Sequence, residues 1–324
     1  MDNNLGVVFV SLVVLSHASG NSGRFSSKQG GDVSISVIIP VFNGEKTICR
    51  ALESAVGQTF PPQEVWIIDD GSTDGTRQVV EAFVGEKVHY LYQANAGVAS
   101  ARNRGMQAAS GDLLAFLDAD DYWDPDKLAK QMKAINEGAD LVYTGRWIYG
   151  PDGEVSVENA RTYDSPLDGL RKRIHILTSV ILVRSSIAHA AGGFDLDLRG
   201  PEDWDFVIRL AKAGARFSAV EEPLVHYDNS SLGSLSHSDR IWAEEVKVLS
   251  KGDILFGLKG IRRVCGRRKV LSAIFLRAAL NARGKGKPGK EVAHLLRSIG
   301  SWPSKQACKV LLVTTLRYLR LYPT

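Results

Sequence analysis

The chain has 324 residues, 44% of them hydrophobic and 23% charged, with a formal net charge of +4. This balance excludes a disordered or fibrous protein and allows one large globular domain, or one and a half, with a sizeable core. The three cysteines (Cys49, Cys265 and Cys308) are far apart, odd in number and without metal-binding spacing, which speaks against a disulfide framework or zinc site and for a reducing compartment.

Residues 1–32 hold one apolar run, Leu5 to Leu15, and then a Ser/Gly-rich stretch from Asn21 to Asp32 that reads as a linker. The run is short for a bilayer span. It resembles a signal-peptide core, but Asp2 and the lack of Lys or Arg before it depart from the usual basic start. A weak anchor and a non-native upstream extension are equal readings.

Folded structure is expected from Ile35-Ser36-Val37-Ile38-Ile39-Pro40, a β-branched strand stopped by proline. Gly44 to Gln58 then has helical apolar spacing at Ile48, Ala51, Leu52, Ala55 and Val56. Val65 to Ile68 is a second strand running into Asp69-Asp70-Gly71-Ser72, and Asp74 to Phe83 reads as a helix. Val88 to Tyr92 is a third strand, Val98 to Ala109 a small-residue helix, Leu113 to Leu117 a fourth strand, and Pro125 to Glu137 a helix with proline at its start. Four strand–helix alternations predict a doubly wound parallel sheet. After Asp140 the pattern turns mixed. Leu141 to Ile148, Glu154 to Val157, Ser179 to Val183 and Phe217 to Val225 are strand-like, and Trp204 to Ala213 is helical.

Charge is distributed unevenly. Lys251 to Thr324 contains 17 basic and 2 acidic residues, whereas the preceding 250 carry a net charge of −11. Apolar runs at Val270 to Leu280 and Val310 to Leu321 accompany the basic residues. The tail therefore reads either as amphipathic helices on an anionic membrane surface or as a helical cap with a solvated basic face. Nucleic acid is the weakest of the candidate partners.

The densest chemistry lies at Phe116-Leu117-Asp118-Ala119-Asp120-Asp121-Tyr122-Trp123-Asp124-Pro125. A buried strand ending in carboxylates puts them where open α/β sheets bind ligands. Asp118 and Asp120 share a side only if the extended pattern continues through the turn. Crowded carboxylates are tolerated around a divalent cation, although an acidic helix start gives the same local pattern.

Six motifs in order give the chain its resemblance. They are Val37-Ile38-Ile39-Pro40-Val41-Phe42-Asn43, Asp69-Asp70-Gly71-Ser72-Thr73-Asp74-Gly75-Thr76, Ala101-Arg102-Asn103-Arg104-Gly105, Asp118-Ala119-Asp120-Asp121, Gly193-Phe194-Asp195 and Glu202-Asp203-Trp204-Asp205. From about Ser34 to Tyr227 the chain resembles the family 2 glycosyltransferases, inverting enzymes of GT-A fold that use nucleotide-diphosphate sugars. The resemblance implies a Rossmann-like, mostly parallel α/β sheet with a mixed acceptor-side half. With the basic helical tail this divides the chain into 1–32, a catalytic domain at 33–240 and a C-terminal region at 241–324.

The resemblance also implies roles. Pro40, Val41 and Phe42 would line the nucleotide base. Asp69 or Asp70 would accept the uracil N3–H, which favours a UDP-sugar. Arg102 would lie by the nucleotide and phosphates. Asp120 would coordinate Mg²⁺ or Mn²⁺, and Asp118 would contact the ribose or the metal shell. Asp203 would be the general base, with Glu202 supporting it or touching the acceptor. The implied acceptor is a hydroxyl of a glycan or lipid-linked molecule in surface polysaccharide synthesis, made in the cytoplasm or at the inner membrane face. A polyprenyl-phosphate sugar transferase using GDP-mannose and a nucleotide-sugar-binding scaffold without turnover are the alternatives. The chain departs from the family at Tyr227-Asp228-Asn229-Ser230-Ser231-Leu232-Gly233-Ser234-Leu235-Ser236, where many members have Tyr-Arg-x-His-x-Gly-Ser-x-Ser. Asp228 stands at the arginine position and the histidine is missing.

Overall fold

The computed structural model describes residues 33–163, 165–171, 176–230 and 241–251, with scattered positions between 270 and 298. The apolar segment and linker of residues 1–32, Ser231 to Ser236, Cys265, Cys308 and the run Val310 to Leu321 lie outside the described residues.

Strand β1 (Ile35–Val41) is buried along its whole length, in keeping with its largely β-branched sequence. It lies between β2 (Glu64–Asp69) and β4 (Leu113–Phe116), parallel to both, and β3 (Val88–Tyr92) adds to β2 in parallel. The linking helices are α1 (Ile48–Val56), α2 (Thr76–Glu81) and α3 (Val98–Ala108). Helix α1 buries Ile48, Ala51, Leu52 and Ala55, four of the positions its apolar spacing marks, while the fifth, Val56 at its C-terminal end, is exposed. Helix α3 lies close on β1 because residue 105 is glycine. A Cβ there would stand 2.4 Å from Ile38 Cγ2.

The second half completes one mixed sheet. After β4 come the two-residue strand β5 (Tyr122–Trp123), α4 (Lys127–Asn136), β6 (Leu141–Tyr149), β7 (Val155–Glu158) and α5 (Pro166–Arg171). A 3-10 turn at Thr178–Val180 leads into β8 (Ile181–Arg184). Then follow α6 (Ser185–Ala190), α7 (Glu202–Lys212), β9 (Phe217–Asp228) and α8 (Ile241–Lys251). The strand order is β3-β2-β1-β4-β8-β6-β9-β5, with β7 on β6. Strand β8 pairs antiparallel with both β4 and β6, so the parallel Rossmann-like half ends at β4.

Three differences from the sequence reading have simple causes. The expected strand over Ser179 to Val183 begins as a 3-10 turn, which frees Ser179 to bond toward the acidic turn. Strand β5 has too few residues for any periodicity to show. Helices α5 and α6 have six residues each, too short for a repeating apolar face.

Among the described residues, no helix is long and apolar enough to cross a membrane. In the basic C-terminal region, Val270 and Ile274 are buried in the main core, while Lys290 and Arg297 are exposed.

Candidate active site

The carboxyl ends of β1, β2 and β4 finish together. Asp69 pairs in register with Val41, the Asp70 amide donates to the Val41 carbonyl at 2.8 Å, and the Leu117 amide donates to the Ile38 carbonyl at 3.0 Å. This edge carries Pro40, Val41, Phe42, Asp69, Asp70 and Asp118. Pro40 and Val41 are buried within β1, whereas Phe42, just past its end, is 53% exposed and offers a free ring face at the rim.

Asp69 and Asp70 are buried, and each accepts several hydrogen bonds. Asp69 accepts the Ser72 amide at 2.8 Å and the Tyr90 hydroxyl at 2.6 Å. The hydroxyl's burial, then its bond to Asp69, raises the pKa of Tyr90. Asp70 accepts the Gln93 side-chain amide at 2.7 Å and the backbone amides of Ala96 and Gly97 at 2.8 Å each. It thereby ties β2 to the loop that enters α3.

The acidic turn is arranged differently. Extended structure stops at Phe116, and the Asp121 amide donates to the Asp118 carbonyl at 3.0 Å, closing a turn over Ala119 and Asp120. The extended alternation that would put Asp118 and Asp120 on one side therefore does not continue. Asp121 is buried, accepting Ser179 Oγ–H at 2.5 Å and the Asp228 amide at 3.1 Å. Its burial and its acidic neighbours Asp118 and Asp120 hold its pKa well above the usual carboxylate range. Asp120 is exposed as a whole residue, but its carboxyl sits among protein atoms. That crowding, then the charges of Asp118 and Asp228, push its pKa up to about 6.

Across the sheet edge, Glu202 and Asp203 open α7. Their placement depends on an aromatic cluster under the site. Phe116 of β4 meets Phe194 edge-on with centroids 5.2 Å apart, and Phe194 lies 4.3 Å from Phe206 of α7. The Asn103 side chain fixes the Phe194 backbone by accepting its N–H and donating to its C=O, both at 2.7 Å. Residue 193 has φ +67, and a Cβ there would approach Asn103 Oδ1 to 2.5 Å, so glycine is required.

Arg102 joins the two acidic groups. It is 4% exposed, and its Nη2 donates to Asp118 Oδ1 at 2.6 Å while its Nη1 donates to Glu202 Oε1 at 2.9 Å. Asp203 accepts the Trp204 amide at 2.6 Å. Burial and then Glu202 push its pKa up to about 7, with Arg102 pulling the other way. A carboxylate poised there can hold or accept a proton near neutrality.

Sequence reasoning missed three contributors. Ser179 accepts the Asp118 amide at 3.1 Å as well as bonding Asp121. Thr178 Oγ–H donates weakly to Asp118 Oδ2 at 3.4 Å. Arg50 of α1 donates to the Asp120 carbonyl at 2.7 Å, lies 4.4 Å over the Tyr122 ring and stands 3.8 Å from Asp228. Asp228, at the departure from the family pattern, thus adds acidity where arginine was expected, and Arg50 supplies a guanidinium beside it. None of these contacts has a local sequence signal, because each joins distant segments.

The carboxylates of Asp118 and Asp120 are hard oxygen donors of the kind that suit Mg²⁺ or Mn²⁺. Among the described residues, no group of three His, Cys, Asp or Glu side chains is spaced to hold a metal unaided. Two carboxylates, with phosphate oxygens supplying more of the shell, is the usual Mg²⁺ arrangement.

The profile of the family described as glycosyl transferase family 2 matches residues 36–187. A Bacillus subtilis glycosyltransferase provisionally assigned to teichuronic acid biosynthesis is 32% identical over 212 residues, covering 62% of this chain and 81% of that protein. S. aureus TarS 1-349, solved in complex with UDP-GlcNAc, superposes with a TM-score of 0.66 at 20% identity, over 88% of this chain and 85% of that one. A mannosyltransferase from Pyrobaculum calidifontis, solved with GDP-Man and Mn²⁺, gives a TM-score of 0.57 at 20% identity, over 91% and 85%. The two structural likenesses establish the GT-A fold.

Proposed function

The chain belongs to glycosyl transferase family 2 and is a glycosyltransferase, and from that premise we propose that it transfers a sugar with inversion from a UDP-sugar to a hydroxyl of a glycan or lipid-linked acceptor in surface polysaccharide synthesis. One observation carries this reading: the end of β4 and the start of α7, far apart in sequence, bring Asp118 and Glu202 onto a single guanidinium, with Asp203 next to Glu202.

In the proposed reaction, Asp203 accepts the acceptor's hydroxyl proton while that oxygen bonds the anomeric carbon from the face opposite the leaving group. The bond from the anomeric carbon to the diphosphate oxygen breaks, and the electron pair leaves with the diphosphate. Asp118 and Asp120 would hold Mg²⁺ or Mn²⁺, which supplies charge stabilisation for the departing diphosphate. Phe42 presents its exposed ring to the base. Asp70 and Asp69 keep the nucleotide-facing loop in place, and either retains acceptor capacity for a uracil N3–H. The Bacillus relative supports a polysaccharide pathway, and the UDP-GlcNAc complex of TarS supports a uridine donor. The catalytic unit in this reading spans 33–240, and the basic region at 241–324 faces an anionic inner membrane surface, with no role for nucleic acid.

Calorimetry with UDP, GDP, CDP and dTDP, with and without Mn²⁺, tests the donor on the wild type and on Asp120→Ala. Mn²⁺-dependent UDP binding that the variant loses supports the reading. Tight GDP binding moves the donor to the mannose-type alternative, and no binding favours a scaffold. Salt-sensitive binding to anionic vesicles tests the membrane assignment separately.

A further inference from the structure

Arg102 is a buried guanidinium paired with two carboxylates, not a surface ion-pair residue. It is 4% exposed, with its guanidinium 5.3 Å from the Phe194 ring. Its planar fork reaches two carboxylates from separate elements through two different nitrogens, Nη2 to Asp118 and Nη1 to Glu202. The neighbouring residue, Asn103, also reaches toward the acceptor side, through the Phe194 backbone. The helix bearing both is seated tightly on β1 at Gly105.

We propose that Arg102 is a positioning residue that does not bind the donor and instead clamps Asp118 to Glu202, so that the acidic turn and the proton acceptor stay in register. The proposal rests on the reading of Asp203 as the base. Without the guanidinium, Asp118, Glu202 and Asp203 would be neighbouring like charges, and their repulsion would drive the start of α7 away from β4. Three charged groups act on Asp203: Glu202 and Asp118 disfavour its ionised form, and Arg102 favours it. The clamp therefore serves both alignment and ionisation.

Steady-state kinetics of the full chain with Mn²⁺ and a UDP-sugar that the wild type turns over test the proposal, using Arg102→Met and Arg102→Lys. In Arg102→Met, kcat should fall on the order of 100-fold, as misplaced catalytic groups do, while the donor KM stays within about threefold. The acid limb of kcat should move up by about half a pH unit or more, because only the group favouring ionised Asp203 is lost. Arg102→Lys, which keeps the charge and reaches one carboxylate, should recover about tenfold of the lost kcat. A donor KM raised about tenfold or more with kcat retained would mark a phosphate ligand and overturn the clamp. A lower kcat with an unmoved acid limb would reduce it to a structural contact and overturn it too. If the wild type turns over no nucleotide sugar, the proposed function fails, and denaturation then tests the clamp separately. Arg102→Lys and Glu202→Gln combined should destabilise less than the sum of the two single changes. Additive losses would refute the pairing.

Discussion

Two sets of aspartates sit at the same edge of the sheet and live under opposite electrostatics. Asp69 and Asp70, at the end of β2, are bonded by amide and hydroxyl donors from the loops around them. Asp120, Asp121 and Asp203 are instead crowded, and burial with acidic neighbours raises their pKa values. The same side chain therefore does two jobs. The first set uses its charge internally to shape a loop, while the second keeps its demand for a cation or a proton open. Satisfied carboxylates contribute to stability, and unsatisfied ones give it up for chemistry.

The widest separation between the two sets should appear in Asp203→Asn. Its kcat should drop by roughly 10²–10⁴-fold, the range for removing a general base, while the thermal midpoint holds or rises. In the wild type, kcat/KM should climb with pH to a plateau above about 7, following ionisation of Asp203. The stability sign runs the other way. Because the folded pKa of Asp203 lies above its unfolded value of about 3.9, its contribution to stability is complete below that value and is lost as pH rises through about 7. A melting series at fixed ionic strength, run beside Asp203→Asn, isolates this slope.

Next in size is Asp70→Ala. It leaves the Ala96 and Gly97 amides without their acceptor and should cost roughly 3 kcal/mol in urea denaturation, at 1.5–3 kcal/mol per bond to a charged group. Asp120→Asn, assayed without metal, should lose under about 1 kcal/mol, since it relieves like-charge crowding. Equal losses in the two variants would erase the contrast between the sets. The mildest effect on the fold should come from Phe42→Ala, whose exposed ring supports no core. Its stability should change by under about 0.5 kcal/mol, while UDP affinity falls about 5-fold or more through lost stacking.

Much of the parallel half was legible because burial on both faces writes itself as unbroken apolar runs. Strands β1, β2 and β4 fall where such runs stand, while the edge strand β3 is only partly buried. Helix α3 needed its small residues, and Gly105 against Ile38 shows why. The acidic turn and the Glu202-Asp203 pair stood out as residue types in order, but their arrangement did not. No pattern near Arg102 indicates that its partners are Asp118 and Glu202, and nothing near Ser179 points to Asp118 and Asp121. Those bonds exist only after the chain has closed on itself, so local periodicity cannot encode them. In the second half, strand-like residue content located β6 and β9 but not the order in which they insert.

That insertion order shapes how the chain is made. Strand β4 is complete at Phe116, yet its second neighbour, β8, begins only at Ile181. At a synthesis rate of about 5–20 residues per second, a nascent parallel sheet would wait roughly 3–13 s with the bare edge of a wholly apolar strand facing the cell. Strand β6 emerges during that wait but joins β4 only through β8. A truncation after residue 140 would make the wait permanent, and such a fragment should aggregate on the ribosome's timescale or depend on a chaperone to remain in solution.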